Sequence, residues 1–180
     1  MVLVCVLLIV FIAVAFVIYF HRIPSGYSEW NELDIASPSY GIVHSIVDTG
    51  SSYIIITLLS PLDVHAQYVP MDGVVSGVEY DRTGRFSIAY TVDKSIHNEK
   101  MITTISTSRG TIKVYQIAGM VTRHIVSYLS SAERVRRGEK LGMICLGSRV
   151  DLELPYGVLI RVKAGDVIRG GRDVIASWSV

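Results

Sequence analysis

The sequence predicts a mainly β (α+β) fold, a pseudo-symmetric barrel or sandwich preceded by one N-terminal transmembrane helix. Three observations carry that expectation. Residues 1–20 hold no charged side chain and are almost all Val, Leu, Ile, Phe and Ala, and as a helix they span roughly 30 Å, the thickness of a bilayer core. Beyond residue 37 the chain breaks into short β-branched stretches separated by turn-forming residues, the pattern of strands joined by tight connections. Finally, Pro38-Ser39-Tyr40-Gly41, Pro70-Met71-Asp72-Gly73 and Pro155-Tyr156-Gly157 each set a proline and a glycine ahead of an apolar run, a chemistry that turns the chain and then lets it pair.

Taken in order, residues 1–21 read as a membrane anchor. No basic region precedes the apolar run and no small-x-small site follows it, which argues against a cleaved signal peptide. His21 and Arg22 then favour a single-pass topology with a cytoplasmic body. Residues 22–37 form a polar connector, in which Tyr27 and Trp30 suit either the membrane interface or an ordinary packed linker. The body, residues 38–180, is expected to place strands at 41–47, 53–59, 74–80, 86–92, 101–106, 111–117, 158–162 and 173–177, with 118–130 open between helix and strand. Segments 135–142 and 162–171 resemble the hairpins of lipoyl- and biotin-carrier domains. Those carriers need an exposed lysine at a tight hairpin tip, and the absence of one here disfavours that function.

Composition narrows the partners. The 180 residues carry 17 Lys and Arg against 16 Asp and Glu, for a net charge of +1, and no basic stripe interleaved with aromatics offers itself to nucleic acid. A chain of this length suits one compact domain after the apolar run. Cys5 and Cys145 fall in the apolar run and the body respectively, so no disulfide is expected. His21, His44, His97 and His124 lack metal-ligand spacing, and no metal site is expected.

The chemistry centres on Leu146-Gly147-Ser148. A serine after a glycine can turn its hydroxyl back on the preceding carbonyl, because glycine tolerates the strained backbone that exposes that carbon. Gly50-Ser51 repeats the dipeptide within Asp48-Thr49-Gly50-Ser51-Ser52, where it reads as a loop. Context separates the two. Ser60-Pro61-Leu62-Asp63-Val64-His65, then Asn98-Glu99-Lys100, then Gln116-Ile117-Ala118-Gly119 with Arg123-His124-Ile125-Val126, then Gly147-Ser148-Arg149-Val150-Asp151 with Leu154-Pro155 together resemble the short, archaeal-type form of phosphatidylserine decarboxylase.

That resemblance implies a proenzyme that cuts itself between Gly147 and Ser148 into residues 1–147 and 148–180, which stay associated and possess the capacity to form a homo-oligomer. Ser148 then becomes a pyruvoyl cofactor, whose carbonyl takes up the amine of a membrane phospholipid and withdraws electrons as carbon dioxide leaves. His65 is the matching acid–base residue, suited by a pKa near neutrality. If residues 58–65 form a strand, Asp63 shares its face and its carboxylate is placed to orient the ring. Arg123 and Arg149 are candidates for the head group, since guanidinium pairs with phosphate and carboxylate, although a structural ion pair is an equal reading. Glu99 and Gln116 lie in the same blocks with no step assigned to them.

Two positions depart from the family pattern. Its Ser-Pro-x-Asp-Gly block reads Ser37-Pro38-Ser39-Tyr40-Gly41 here, and a phenol is a poor replacement for a carboxylate that polarises a base. Larger members carry a second histidine where this chain has Tyr68. These departures sustain the alternative of an uncleaved, inactive lipid-binding homologue with the same fold.

Overall fold

The computed structural model describes residues 2–20, 29–84, 87–89, 91–119, 124–144 and 148–179. Arg22, Arg123 and Gly147 therefore lie outside the described residues, as do Tyr27 and Cys145.

The chain opens with α1 (Val2–Phe20), whose 19 residues include no acidic or basic side chain. Its described side chains are exposed, with Phe11 at 70%. Among the described residues no helix is long and apolar enough to cross a membrane, so the expected transmembrane crossing is not shown by the fold.

The body is mainly β. Its strands are β1 (Asp34–Ala36), β2 (Gly41–Asp48), β3 (Ser52–Leu58), β4 (Ala66–Tyr68), β5 (Gly73–Asp81), β6 (Lys100–Ser106) and β7 (Thr111–Ile117), with a short helix α2 (Val92–Ser95) between β5 and β6. There follow β8 (Ile125–Ser127), β9 (Arg134–Val135), β10 (Lys140–Ile144), β11 (Arg149–Pro155), β12 (Val158–Ile160), β13 (Val167–Ile168) and β14 (Val174–Trp178). Eight strands form one antiparallel sheet in the order β13-β2-β3-β11-β7-β6-β5-β9, and two three-stranded sheets, β1-β14-β12 and β4-β10-β8, complete the body. The large sheet is open, with β13 and β9 at its edges.

Alternation builds the core. Val43, Ile55, Ile105, Ile112, Val114, Val150, Leu152 and Leu154 are buried in one cluster, their neighbours along each strand turning to the other face. The three proline-glycine entries do start strands: Gly41 opens β2, Gly73 opens β5, and Gly157 precedes β12. Gly41 has φ +137°, and a Cβ there would stand 2.4 Å from the Leu58 carbonyl oxygen, so no other residue fits this approach.

The structure corrects several sequence expectations. Segment 86–92 contains no strand among its described residues, and α2 starts at its last position. The reason is Asn98, which takes both backbone groups of Ser87: the Ser87 N–H donates to Asn98 Oδ1 at 2.8 Å and Asn98 Nδ2 donates to the Ser87 carbonyl at 2.7 Å. A side chain thus supplies what a partner strand would have supplied. In 118–130 the described part holds β8 and no helix. The domain also begins before residue 38, because β1 pairs with β14 and Trp30 Nε1 donates to the Arg172 carbonyl at 3.2 Å. With Arg137 stacked 5.1 Å over its ring, Trp30 belongs to the packed body.

Candidate active site

Ser148 stands immediately before β11, a strand paired on both of its edges. β11 runs its whole length against β3 and pairs from Arg149 to Glu153 with β7. The Leu59 N–H donates to the Ser148 carbonyl at 3.0 Å, carrying the β3 ladder one step further, and Ser148 is fully buried. Pleat alternation directs Ser148 and Val150 to the face opposite Arg149. On the near side of the expected cut, the Ile144 N–H at the end of β10 donates to the His65 carbonyl at 3.2 Å. Ile144 is therefore held at His65 and Ser148 at Leu59, the two ends of the turn 59–65.

His65 is fully buried. Its Nδ1 lies 2.8 Å from the main-chain carbonyl oxygen of Asp63. A carbonyl only accepts, so Nδ1 carries the hydrogen and the neutral ring presents its lone pair at Nε2. Asp63 thus holds the ring through its backbone. Residues 58–65 are not one strand, since β3 stops at Leu58 and a turn follows. The Asp63 carboxylate accepts the Ser60 N–H at 2.7 Å while the Asp63 N–H returns to the Ser60 carbonyl at 2.9 Å. The same reciprocal turn recurs at Asn31 and Asp34, Ser130 and Glu133, Arg136 and Glu139, and Lys163 and Asp166. The carboxylate at 63 is therefore a turn cap, one of a repeated set, and the shared strand face expected for Asp63 and His65 does not exist.

Arg149 makes the structural ion pair that stood as one of its two readings. It is 2% exposed, and its Nε and Nη2 donate to the two Asp151 oxygens at 2.7 and 2.6 Å. Nη1 donates to the Val92 carbonyl at 2.8 Å and Ser95 Oγ at 3.0 Å, tying α2 onto the sheet. Burial pushes the Asp151 carboxyl up, and the Arg149 fork opposes that rise. With most of its donors committed to protein, Arg149 holds α2 beside the start of β11. Arg149→Leu leaves the Asp151 carboxylate buried without its cation, and we expect a loss of about 3–5 kcal/mol in urea unfolding. Arg149→Leu combined with Asp151→Leu should recover much of it, since removing both charges removes the uncompensated one.

The two departures from the family pattern meet in space. The Tyr40 and Tyr68 rings pack at 6.3 Å between centroids, and the Tyr68 ring rests on the chain at Gly171, where a Cβ would lie 2.9 Å from its Cγ. Burial and then the neighbouring Tyr40 push the Tyr68 phenol up to about 12, with Arg172 pulling the other way. Neither a carboxylate nor a base active near neutrality stands there.

Sequence reasoning gave Gln116 no role and passed over Gln67, yet the structure joins both to His65. Gln67 Nε2 donates to the His65 carbonyl at 2.8 Å and Gln116 Nε2 donates to Gln67 Oε1 at 2.9 Å. Both amides are fully buried, and polar side chains at inward strand positions were the signal in the sequence. Glu99, also buried, accepts from the Tyr80 hydroxyl. Beside the 59–65 turn a cleft of about 290 Å³ is lined by Ile42, Val43, His44, Leu58, Ser60, Asp63 and Gly165. A larger cleft, of about 730 Å³, lies between the start of β5 and the Arg134–Glu139 segment and includes none of these site residues.

A family model described as phosphatidylserine decarboxylase matches residues 29–176. A putative archaetidylserine decarboxylase proenzyme of Methanothermobacter thermautotrophicus is 35% identical over 191 aligned positions, covering 96% of this chain and 85% of that protein. The phosphatidylserine decarboxylase proenzyme of Chlorobaculum tepidum is 32% identical over 89% of this chain and 76% of its own length. That of Thermobifida fusca is 40% identical over 75% of this chain and 62% of its own. No solved structure matches. These matches place the chain among decarboxylases, carbon–carbon lyases. The chain belongs to the phosphatidylserine decarboxylase family.

Proposed function

We propose that this chain is a self-processing, pyruvoyl-dependent decarboxylase that converts phosphatidylserine to phosphatidylethanolamine. The observation that carries the reading is the placement of Ser148, buried at the head of β11 and flanked by the Leu59 and Ile144 hydrogen bonds. In processing, Ser148 Oγ bonds to the Gly147 carbonyl carbon and the peptide nitrogen leaves it, giving an ester. Elimination then breaks the Cβ–Oγ bond and leaves a carboxylate on Gly147. Water displaces ammonia from the residue that remains, and position 148 ends as a pyruvoyl group. The Leu59 bond is to the carbonyl on the retained side of the cut, so the new terminus keeps its anchor.

The residues fit such a group: residue 148 is fully buried and held by its backbone to Leu59, the first residue of the turn that ends at the equally buried His65. When present, the pyruvoyl carbonyl condenses with an amine and acts as an electron sink. His65 Nε2 is the atom that accepts a proton from Ser148 Oγ during processing and returns one to the carbon that has lost carbon dioxide. The products stay together, because residues 148–180 supply β11 between β3 and β7, β13 beside β2, and β14 beside β1.

A phospholipid substrate agrees with the surroundings. Leu62 is 60% exposed and Val167 74% exposed near the cleft that contains Ile42 and Leu58. The uncharged α1 attaches the enzyme to the bilayer, raising the local concentration of a substrate that hardly leaves it. Residues 1–21 act as that attachment and the remainder as the catalytic domain, with its body on the cytoplasmic side.

A second reading, an uncleaved lipid-binding homologue, draws on the Tyr40–Tyr68 pair. Mass measurement of the purified chain with phosphatidylserine vesicles separates the two. The enzyme gives two fragments, the smaller starting at position 148 with a pyruvoyl group, and releases carbon dioxide. A chain that stays whole and releases none selects the lipid-binding reading.

A further inference from the structure

The His65 carbonyl fixes the direction of every hydrogen bond in the glutamine relay. Because that oxygen only accepts, Gln67 must turn its amide nitrogen toward it, at 2.8 Å. Gln67 then shows its oxygen to Gln116, which must answer with its own nitrogen, at 2.9 Å. The relay consequently ends in an acceptor, Gln116 Oε1. Among the described residues no donor reaches that oxygen, although it is buried. A buried acceptor without a donor is destabilising unless a ligand fills it.

Position says which ligand. Gln116 lies opposite Val150 in the β7–β11 register, so Ser148 is its diagonal neighbour, with Cβ atoms about 7–8 Å apart and within reach of a long side chain. Ser148 and Val150 share the face that carries Gln116. Gly142 clears space for this amide: a Cβ there would lie 2.9 Å from Gln116 Nε2 and 3.2 Å from Oε1.

We propose that Gln116 Oε1 accepts a hydrogen bond from the amine nitrogen of the substrate head group. The inference rests on the pyruvoyl reading, and adds to it a residue that touches the reacting nitrogen. The remaining polar group at a pyruvoyl terminus is itself an acceptor, so the incoming amine is the partner that brings N–H donors to this place.

The test is capture of short-chain phosphatidylethanolamine on the processed enzyme with cyanoborohydride, read as a mass increase of fragment 148–180, which involves no decarboxylation. If the unaltered chain is never processed or never captures the amine, the pyruvoyl reading itself fails. Where it does capture, Gln116→Leu should raise the half-saturating lipid concentration at least about tenfold, the scale of a hydrogen bond to a charged donor. Gln116→Glu keeps an acceptor oxygen but loses the amide N–H to Gln67, and should capture at least as well as the unaltered chain. A purely structural role predicts that Glu behaves as badly as Leu, so that result overturns the proposal, as does unchanged capture by Gln116→Leu. The unaltered enzyme decides the matter even if both variants fail to process: as competitors of capture that cannot themselves condense, short-chain phosphatidylcholine, which has no N–H, should act at least about tenfold more weakly than the N,N-dimethyl head group, whose protonated amine keeps one N–H. Equal competition overturns the proposal.

Discussion

Ser148→Ala should yield a single 180-residue chain of 19.9 kDa that never separates into fragments 1–147 and 148–180. The methyl group of alanine occupies the buried site without a nucleophile, and no other hydroxyl continues the β11 backbone at this point. The fold should survive, because the Leu59 bond and the β3 and β7 ladders use backbone groups that alanine retains. Gly50-Ser51 provides the internal control. It sits in the turn between β2 and β3, where the Gly50 N–H donates to Asp48 Oδ1 at 2.8 Å and Ser51 is exposed. Ser51→Ala should therefore be processed like the unaltered chain. Gel electrophoresis and intact mass read both variants, and two fragments from Ser148→Ala would remove Ser148 from its role.

How much of this was legible depends on where each residue's partners lie. Strands β2, β3, β6 and β7 announce themselves through β-branched alternation, and each is joined by a short turn to the strand it pairs with, so local signals suffice. The strand β11 was harder. Val150, Leu152 and Leu154 alternate with Arg149, Asp151 and Glu153 at period two, yet the charged half has poor strand propensity. Only the fold reveals why it is tolerated: Arg149 and Asp151 neutralise each other under α2, and Glu153 accepts from Tyr115 at 2.5 Å. Ser148 was singled out from chemistry and from its neighbours in sequence. The turn that holds Asp63 was not legible, because Ser60-Pro61-Leu62-Asp63 folds back with the carboxylate on the Ser60 N–H, which strand periodicity cannot register. The link between Gln67 and Gln116 spans 49 positions, and no local pattern brings them together.

His65→Ala should be processed slowly and, once cut, should lose decarboxylation by a factor of about 10²–10⁴, the usual worth of a positioned proton donor. The sharper variant is His65→Gln. Its amide can donate to the Asp63 carbonyl, as His65 Nδ1 does at 2.8 Å, and thereby keep the turn in place, but it cannot exchange a proton near neutrality. If the ring acts by proton transfer, Gln is nearly as damaging as Ala in carbon dioxide release. If the ring is only a structural wedge, Gln restores activity and the proton-transfer role is lost. Asp63→Asn separates the carboxylate from the backbone carbonyl. The carboxylate caps the turn at the Ser60 N–H, so the substitution should weaken folding by about 1 kcal/mol while leaving turnover of folded enzyme close to normal. Turnover that falls as far in Asp63→Asn as in His65→Ala would show the carboxylate acting on the chemistry, and would reverse the assignment of that residue to the turn. The contrast follows from one geometric fact: the atom of Asp63 that meets the imidazole belongs to the main chain, and no side-chain substitution removes it.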